Sequence, residues 1–327
     1  MRKNILLFLA LVLLLAGCGK QDNISQLINC ETLRVVAMAP NTAEILYALG
    51  LSNEVVGVSR FCTYPPEAKN KPTVGGLYDP NLEMIVALQP DLVVGLKTQK
   101  EIEGQLNALG INFLGVSHES IDDILQSILI IGKACGAEAR ADELFQSLKK
   151  QASPDAVSSK GRKNPPPASR TPPRRGSAEK TSPPAEGCPQ GGVGLNKPRV
   201  LVCVGHDETL SQMYIAARGT FYDELIERAG GINACEITAG NYPEISPEGL
   251  AVLRPDIVID IFPNLGKNRE KVSTAWKTYC ERVILISDDY ASIPGPRFVL
   301  LLKDFIEAIH PEKNQNNYGQ NDFQNPQ

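Results

Sequence analysis

Apolar positions fall in short runs and helical stripes that alternate along most of the chain. Leu33 to Met38 reads as a strand that ends at Ala39-Pro40. A helix follows, with Asn41 as its N-cap and Glu44 three residues on; Ile45, Leu46 and Leu49 give it an apolar face and Gly50 stops it. Val55 to Val58 reads as a short buried strand, and two prolines bar a helix from the loop Phe61 to Pro66. Asn81 to Leu88 predicts a helix, Leu92 to Gly95 a strand, Glu101 to Leu109 a helix and Asn112 to Val116 a strand. Strands and helices alternating at this spacing predict a mostly parallel α/β sheet.

The longest helical stripe comes next. Ser120 caps it, Asp122 and Asp123 fill its first turn, and apolar residues recur at Ile124, Leu125, Ile128, Leu129, Ile131 and Ala134. The stripe resumes through Leu144, Phe145 and Leu148 to Lys150; the Cys135-Gly136 step kinks the helix or divides it. As one helix of about thirty residues it would span roughly 45 Å, enough for a spine along two lobes.

After a break the scheme returns: a strand from Arg199 to Val204, a helix from Thr220 to Ala229, a helix from Ser246, strands at Ile257 to Ile261 and Val283 to Ile286, and a closing helix from Arg297 to Ile309. The return is partly literal. Leu88-Gln89-Pro90-Asp91-Leu92-Val93-Val94 reappears 165 positions on as Leu253-Arg254-Pro255-Asp256-Ile257-Val258-Ile259. The same offset pairs Glu83 with Glu248, each near the start of a short helix. Asp223-Glu224-Leu225-Ile226 likewise echoes Ala43-Glu44-Ile45-Leu46. Two lobes on one plan, with one carboxylate at a matching place in each, are the expectation.

The ends and the break are different material. Arg2 and Lys3 precede an apolar run from Ile5 to Leu15, then Leu15-Ala16-Gly17-Cys18. The run is short for a membrane span, and the small residues before Cys18 make the segment resemble a bacterial lipoprotein signal, which implies cleavage before Cys18 and lipid on its thiol. Residues 152–197 hold three proline runs, and from Ser153 to Lys197 eight Lys and Arg stand against three Asp and Glu. Such a stretch cannot build a core, and reads as a tolerated insertion ahead of a basic interaction segment. The expected division is 1–17 leader, 18–32 tether, 33–118 first lobe, 119–151 connecting helix, 152–197 disordered insertion, 198–310 second lobe and 311–327 disordered tail.

The net charge of −4 argues against a nucleic-acid surface. Eight cysteines include no C-x-x-C, so neither a zinc nor an iron–sulfur site is supported, and their pairing stays open; Cys203, inside an apolar strand, reads as a small core residue. No G-x-S-x-G, P-loop or G-x-G-x-x-G follows a lobe-opening strand, so no enzyme is indicated.

Tyr64-Pro65-Pro66-Glu67, Pro80-Asn81-Leu82-Glu83, Tyr242-Pro243-Glu244-Ile245-Ser246-Pro247-Glu248, Gly219-Thr220-Phe221 and Pro294-Gly295-Pro296-Arg297, in this order, resemble the substrate-binding proteins of ABC importers for cobalamin, ferric siderophores and haem. The resemblance runs from about Leu33 to Ile309. It implies an α/β fold of two Rossmann-like lobes with parallel central sheets, joined by one long backbone helix with little hinge motion. It also implies a monomer, tethered by lipid in the periplasm or at the cell surface, that serves a permease and, indirectly, its ATPase. Glu83 and Glu248 match the permease-docking acids. Phe61, Tyr78, Tyr214, Tyr242 and Asp288 match cargo contacts, and cobalamin or a related corrinoid is the expected cargo rather than a catalytic cofactor. Two features depart from the cobalamin binders: Leu77 stands where a tryptophan is frequent, and the Asp288-Asp289-Tyr290 loop has no matching arginine. A ferric siderophore or haem is the alternative, with Arg60 or Arg218 facing an anionic chelate and His118 or His206 facing iron or cobalt. A zinc or manganese carrier is a further rival, with only His118, His206 and His310 to supply imidazoles.

Overall fold

The computed structural model describes residues 33–153, 197–237, 240–262 and 269–311. From Arg34 onward the chain forms one compact unit. Cys18 and almost all of the 152–197 segment lie outside the described residues, as does the tail after Pro311.

The first lobe is a four-stranded sheet in the order β2-β1-β3-β4, formed by β1 (Val35–Ala37), β2 (Val55–Val58), β3 (Leu92–Leu96) and β4 (Asn112–Val116). Every pairing in it is parallel. Helices α1 (Pro40–Ala48), α2 (Leu82–Ala87) and α3 (Lys100–Ala108) connect the strands. Val36, Val93, Ile85 and Leu106 are buried between sheet and helices, as the apolar runs require.

The second lobe holds β5 (Arg199–His206), β6 (Met213–Ile215), β7 (Ile232–Asn233), β8 (Glu244–Ile245), β9 (Ile257–Ile261) and β10 (Val283–Ile286). Its path is β10-β9-β5-β6-β8, with β7 on β5. The sheet is mixed: β10, β9, β5 and β7 run parallel, while β6 and β8 pair antiparallel, so the expectation of a parallel sheet holds for only part of this lobe. The hairpin returning from β5 to β6 needs only the turn at Asp207–Gln212, too short for a parallel crossover. Helices α6 (Phe221–Arg228), α7 (Pro247–Leu253), α8 (Arg269–Trp276) and α9 (Phe298–Ile309) cover it.

The connecting segment is not one helix. It divides into α4 (Ile121–Ala134) and α5 (Glu138–Gln151). Gly136 takes a left-handed φ of 66°, the Ala137 amide donates to the Gly132 carbonyl at 2.7 Å, and the Gly136 amide donates to Lys133 at 3.4 Å. That is a Schellman stop, which glycine permits at little cost. The halves then pack closely, since a Cβ added at Gly132 would collide with Ala141. Helix α5 reaches both lobes: Arg140 near its start donates to Gly50 in the first at 3.2 Å, and Arg228 of the second donates to Ala152 at its end at 3.1 Å. Fourteen residues cover about 21 Å. The spine is therefore a packed helix pair, half the length a continuous helix would have.

Helix α1 also differs from expectation. It starts at Pro40, and Thr42 exchanges hydrogen bonds with Ala39, so neither Asn41 nor Glu44 caps it. Glu44 is buried instead.

Candidate functional site

The sequence repeat is a structural repeat to the level of single bonds. Asn81 caps α2 by accepting from the Met84 amide, and Ser246 caps α7 by accepting from the Gly249 amide. Glu83 and Glu248 each stand two residues past the cap, and both are exposed. Both helices run out into a left-handed non-glycine residue, Gln89 at φ 47° and Arg254 at φ 45°. The Asp of each Pro-Asp turn then accepts from the backbone of an arginine at the head of the lobe: Arg34 to Asp91 at 2.8 Å, Arg199 to Asp256 at 2.7 Å. Each of those guanidinium groups donates to the last turn of its acid-bearing helix, at Leu88 and Leu253. Arg34 and Arg199 obey the same offset of 165, which would have found them had the repeat been carried further back. Exposed Met84, Val86 and Val252 put apolar surface beside the two acids.

The carboxyl ends of the parallel strands are where open α/β sheets present ligands. At the end of β2, the loop bearing Phe61 is held by Arg60, which pairs with Asp79 and lies 5.8 Å from the Phe61 ring centroid. Asp79 belongs to the turn of Tyr78, fixed in turn by Gln99, whose amide donates to Leu77 at 2.5 Å and whose oxygen accepts from Leu96 at 2.7 Å. Phe61 and Tyr78 are thus neighbours in the first lobe, 55% and 82% exposed. In the second lobe Tyr214 lies on β6 opposite Glu244, and Ile215 bonds to Pro243, which brings Tyr214 and Tyr242 together; each is 44% exposed. The Tyr242 ring meets buried Tyr222 edge-on at 6.4 Å. Burial raises the Tyr242 pKa, helped by the field of Glu119 at the end of β4, which faces it from the first lobe.

Asp288 is exposed at the end of β10, where a single helical turn, Asp289–Ser292, begins. That turn touches the first lobe. The Thr63 hydroxyl donates to Asp289 at 3.3 Å, and Arg297, preceding α9, donates to Asp289 at 2.7 and 3.2 Å and to Glu44 at 2.5 Å. Arg297 also stacks on Tyr64 at 3.9 Å. Glu224 of α6, the counterpart of Glu44, accepts from the Ile121 amide at the start of α4 at 3.1 Å. The Pro-Gly-Pro-Arg motif gives its arginine no partner in sequence; the Glu44–Glu224 echo is the signal that could have pointed to one.

His206 is not an open imidazole. Its side chain is buried, Nδ1 faces the Asp207 carbonyl at 2.7 Å and Nε2 faces Asp260 Oδ2 at 3.0 Å. Trp276 donates its indole N–H to the same oxygen at 2.8 Å. Burial opposes charge on His206, but the hydrogen bond and field of Asp260, with the Asp207 carbonyl, outweigh it and raise the pKa. His118, half-buried in the loop after β4, has its pKa lowered by burial and stays neutral at pH 7. Arg218 is exposed. Cys62, Cys135, Cys203, Cys235 and Cys280 are free thiols, and Cys203 is fully buried. Among the described residues no group of three or more His, Cys, Asp or Glu gathers to hold a metal, and no helix is long and apolar enough to cross a membrane.

Residues 35–168 match the family described as periplasmic binding protein. The chain is 27% identical to the uncharacterized ABC transporter substrate-binding lipoprotein YvrC of Bacillus subtilis, over 86% of this chain and 81% of that one. It is 26% identical to the cobalamin-binding protein of Halobacterium salinarum, over 88% and 72%. The periplasmic heme-binding protein RhuT of Roseiflexus, solved in apo form, shares the fold with a TM-score of 0.65 at 24% identity, over 86% and 99%. With two repeated α/β lobes and a helical connection between them, the chain is similar over most of its length to substrate-binding proteins of ABC importers, and over residues 35–168 it matches the periplasmic binding protein family.

Proposed function

We propose that this chain captures cobalamin or a related corrinoid between its lobes, outside the cytoplasmic membrane, and hands it to its permease. The observation that carries this reading is the set of exposed rings, Phe61 in the loop after β2 and Tyr78 in the turn before α2 from one lobe, Tyr214 on β6 and Tyr242 just before β8 from the other. Stiff aromatic faces suit a flat macrocycle because little side-chain entropy is lost on contact. Exposed Asp288 adds an acceptor for amide groups at the rim of such a ligand. The likeness to a cobalamin-binding relative supports the same cargo. An anionic ferric chelate wants unengaged cations; here Arg60 is matched by Asp79, which leaves exposed Arg218 as the candidate cation for that reading.

Haem, or a ferric siderophore, is the second reading. Neutral, half-buried His118 at the end of β4 favours haem, because a metal-ligating imidazole must be unprotonated. In either case Glu83 and Glu248 dock into cationic sites on the permease, and lipid on Cys18 tethers the chain. Isothermal titration of the purified chain with cyanocobalamin, haemin and ferric siderophores separates the readings. One-to-one cyanocobalamin binding that weakens in Tyr242→Ala and Phe61→Ala is expected. Haemin binding lost in His118→Ala, with no cyanocobalamin binding, would replace the first reading by the second.

A further inference from the structure

We infer that Arg297 is an interlobe latch, a positioning residue that sets the spacing of the two aromatic walls; this rests on the cleft being the cargo site. One guanidinium ties four segments. It precedes α9 in the second lobe, holds the Asp289 turn of that lobe, enters the first lobe to meet Glu44 of α1, and stacks on Tyr64 in the loop that carries Phe61. The Thr63 hydroxyl closes the loop on Asp289. The turn itself is anchored from behind, where the Tyr222 hydroxyl donates to Ala291 at 2.9 Å. Beside the latch the lobes nearly touch: a Cβ at Gly295 would sit 3.1 Å from Glu44 Oε2 and 3.5 Å from the Asn41 Cα.

Stability is a poor reason for this arrangement. The Glu44 side chain is 2% and the Arg297 side chain 13% exposed, and an ion pair that buried gains little over apolar residues of the same volume. Glu44 Oε2 and Arg297 Nε also lack hydrogen-bond partners among the described residues, so the cluster is not optimised as a bonded network. What a bidentate guanidinium supplies is geometry, because its planar fork fixes the carboxylates it meets. The repeat adds an independent observation. Glu224, at the place of Glu44 in the other lobe, is also spent on a contact outside its own lobe, with the start of α4. Matched glutamates therefore act at two points of the junction, which resists twisting as well as opening.

The test compares Arg297→Met, Arg297→Lys and Asp289→Asn with the parent in the purified full chain. Encoded azido residues at exposed Leu109 and Val252 carry a donor–acceptor dye pair, one in each lobe. Without ligand, the parent should give one narrow interlobe distance distribution, Arg297→Met a broadened or displaced one, and Arg297→Lys an intermediate one. Cyanocobalamin and haemin are then titrated; whichever binds the parent should bind Arg297→Met at least tenfold more weakly. Asp289→Asn, on the exposed side of the latch, should show the same trend should Arg297→Met fail to fold. An unchanged distance distribution in folded Arg297→Met, with only a lowered melting temperature, would reduce Arg297 to a stabilising contact and overturn the latch. A parent that binds neither probe would sink the cargo reading, while the distance comparison would still decide the latch.

Discussion

Replacing Trp276 by phenylalanine should cost the second lobe far more than the change of ring suggests. Trp276 is fully buried and gives its indole N–H to Asp260 Oδ2, an oxygen also held by His206. The other carboxylate oxygen, Oδ1, is buried with no partner among the described residues. Phenylalanine therefore leaves Asp260, itself fully buried, with His206 alone. A hydrogen bond to a charged acceptor contributes about 1.5–3 kcal/mol. The lost fused ring leaves a void adding about 1–2 kcal/mol, well short of the full truncation to alanine. The sum is about 2.5–5 kcal/mol. The assay is urea unfolding followed by far-ultraviolet circular dichroism. Trp276 is the only tryptophan, so the parent's fluorescence reports this lobe without background, whereas the variant has no such signal. The cluster lies where β5 turns toward β6, so Tyr214 on β6 should become less ordered and cargo affinity should fall too. A loss of less than about 1 kcal/mol would refute the reasoning, since Asp260 would then not depend on the indole donor.

Three further outcomes follow from the same geometry. The raised pKa of His206 contributes stability that is fully present below its unfolded value of about 6.5 and is lost as pH rises through its folded value, so the urea midpoint should drop between pH 6 and pH 9 and should drop less in His206→Gln. Gly295→Ala should lower stability by about 1–3 kcal/mol by crowding Glu44, and should weaken cargo binding while circular dichroism stays native; parent-like affinity would mean that the lobes do not need this close approach. Glu83→Ala and Glu248→Ala should leave melting temperature and cargo affinity near the parent's, yet each should reduce transport in vesicles bearing the permease, and the double variant most; unimpaired transport in the double variant would remove the docking role. Raising salt should weaken parent docking in the same assay, as expected for exposed charges that steer association.

Most of the first lobe was legible because its physics is local. Asn112–Val116 and Val55–Val58 are strands at the residues their apolar runs define, and in the second lobe the helix from Ser246 starts where that side chain bonds its own backbone. What failed was decided at a distance or by competition between equal local signals. The Ser120–Lys150 stripe is helical on both sides of Gly136, and only the backbone bonds show that a full Schellman stop wins over a kink. The antiparallel strands β6 and β8 are short and carry no periodicity of their own. At Glu44, proline at the first turn and Thr42 closing on Ala39 outcompeted the capping role that its spacing suggested.

That failed reading of Glu44 connects the fold to the site. A glutamate released from capping and buried against the other lobe needs a cation, and the cation arrives from residue 297, 253 positions away. No window of sequence contains both groups, so no local pattern could pair them. The internal repeat could have raised the question, because a charged residue retained at the same step of two buried helices, Glu44 and Glu224, is not explained by either helix's own apolar face. His206 is the opposite case. Its place just beyond a strand suggested an open imidazole, but the same strand order that sets β5 beside β9 delivers Asp260 to it, and α8 brings Trp276 to that carboxylate. The carboxyl end of a strand therefore does not by itself mark a ligand contact. On the proposed reading, cargo meets the rings left exposed after such internal partners are taken: Phe61, Tyr78, Tyr214 and Tyr242.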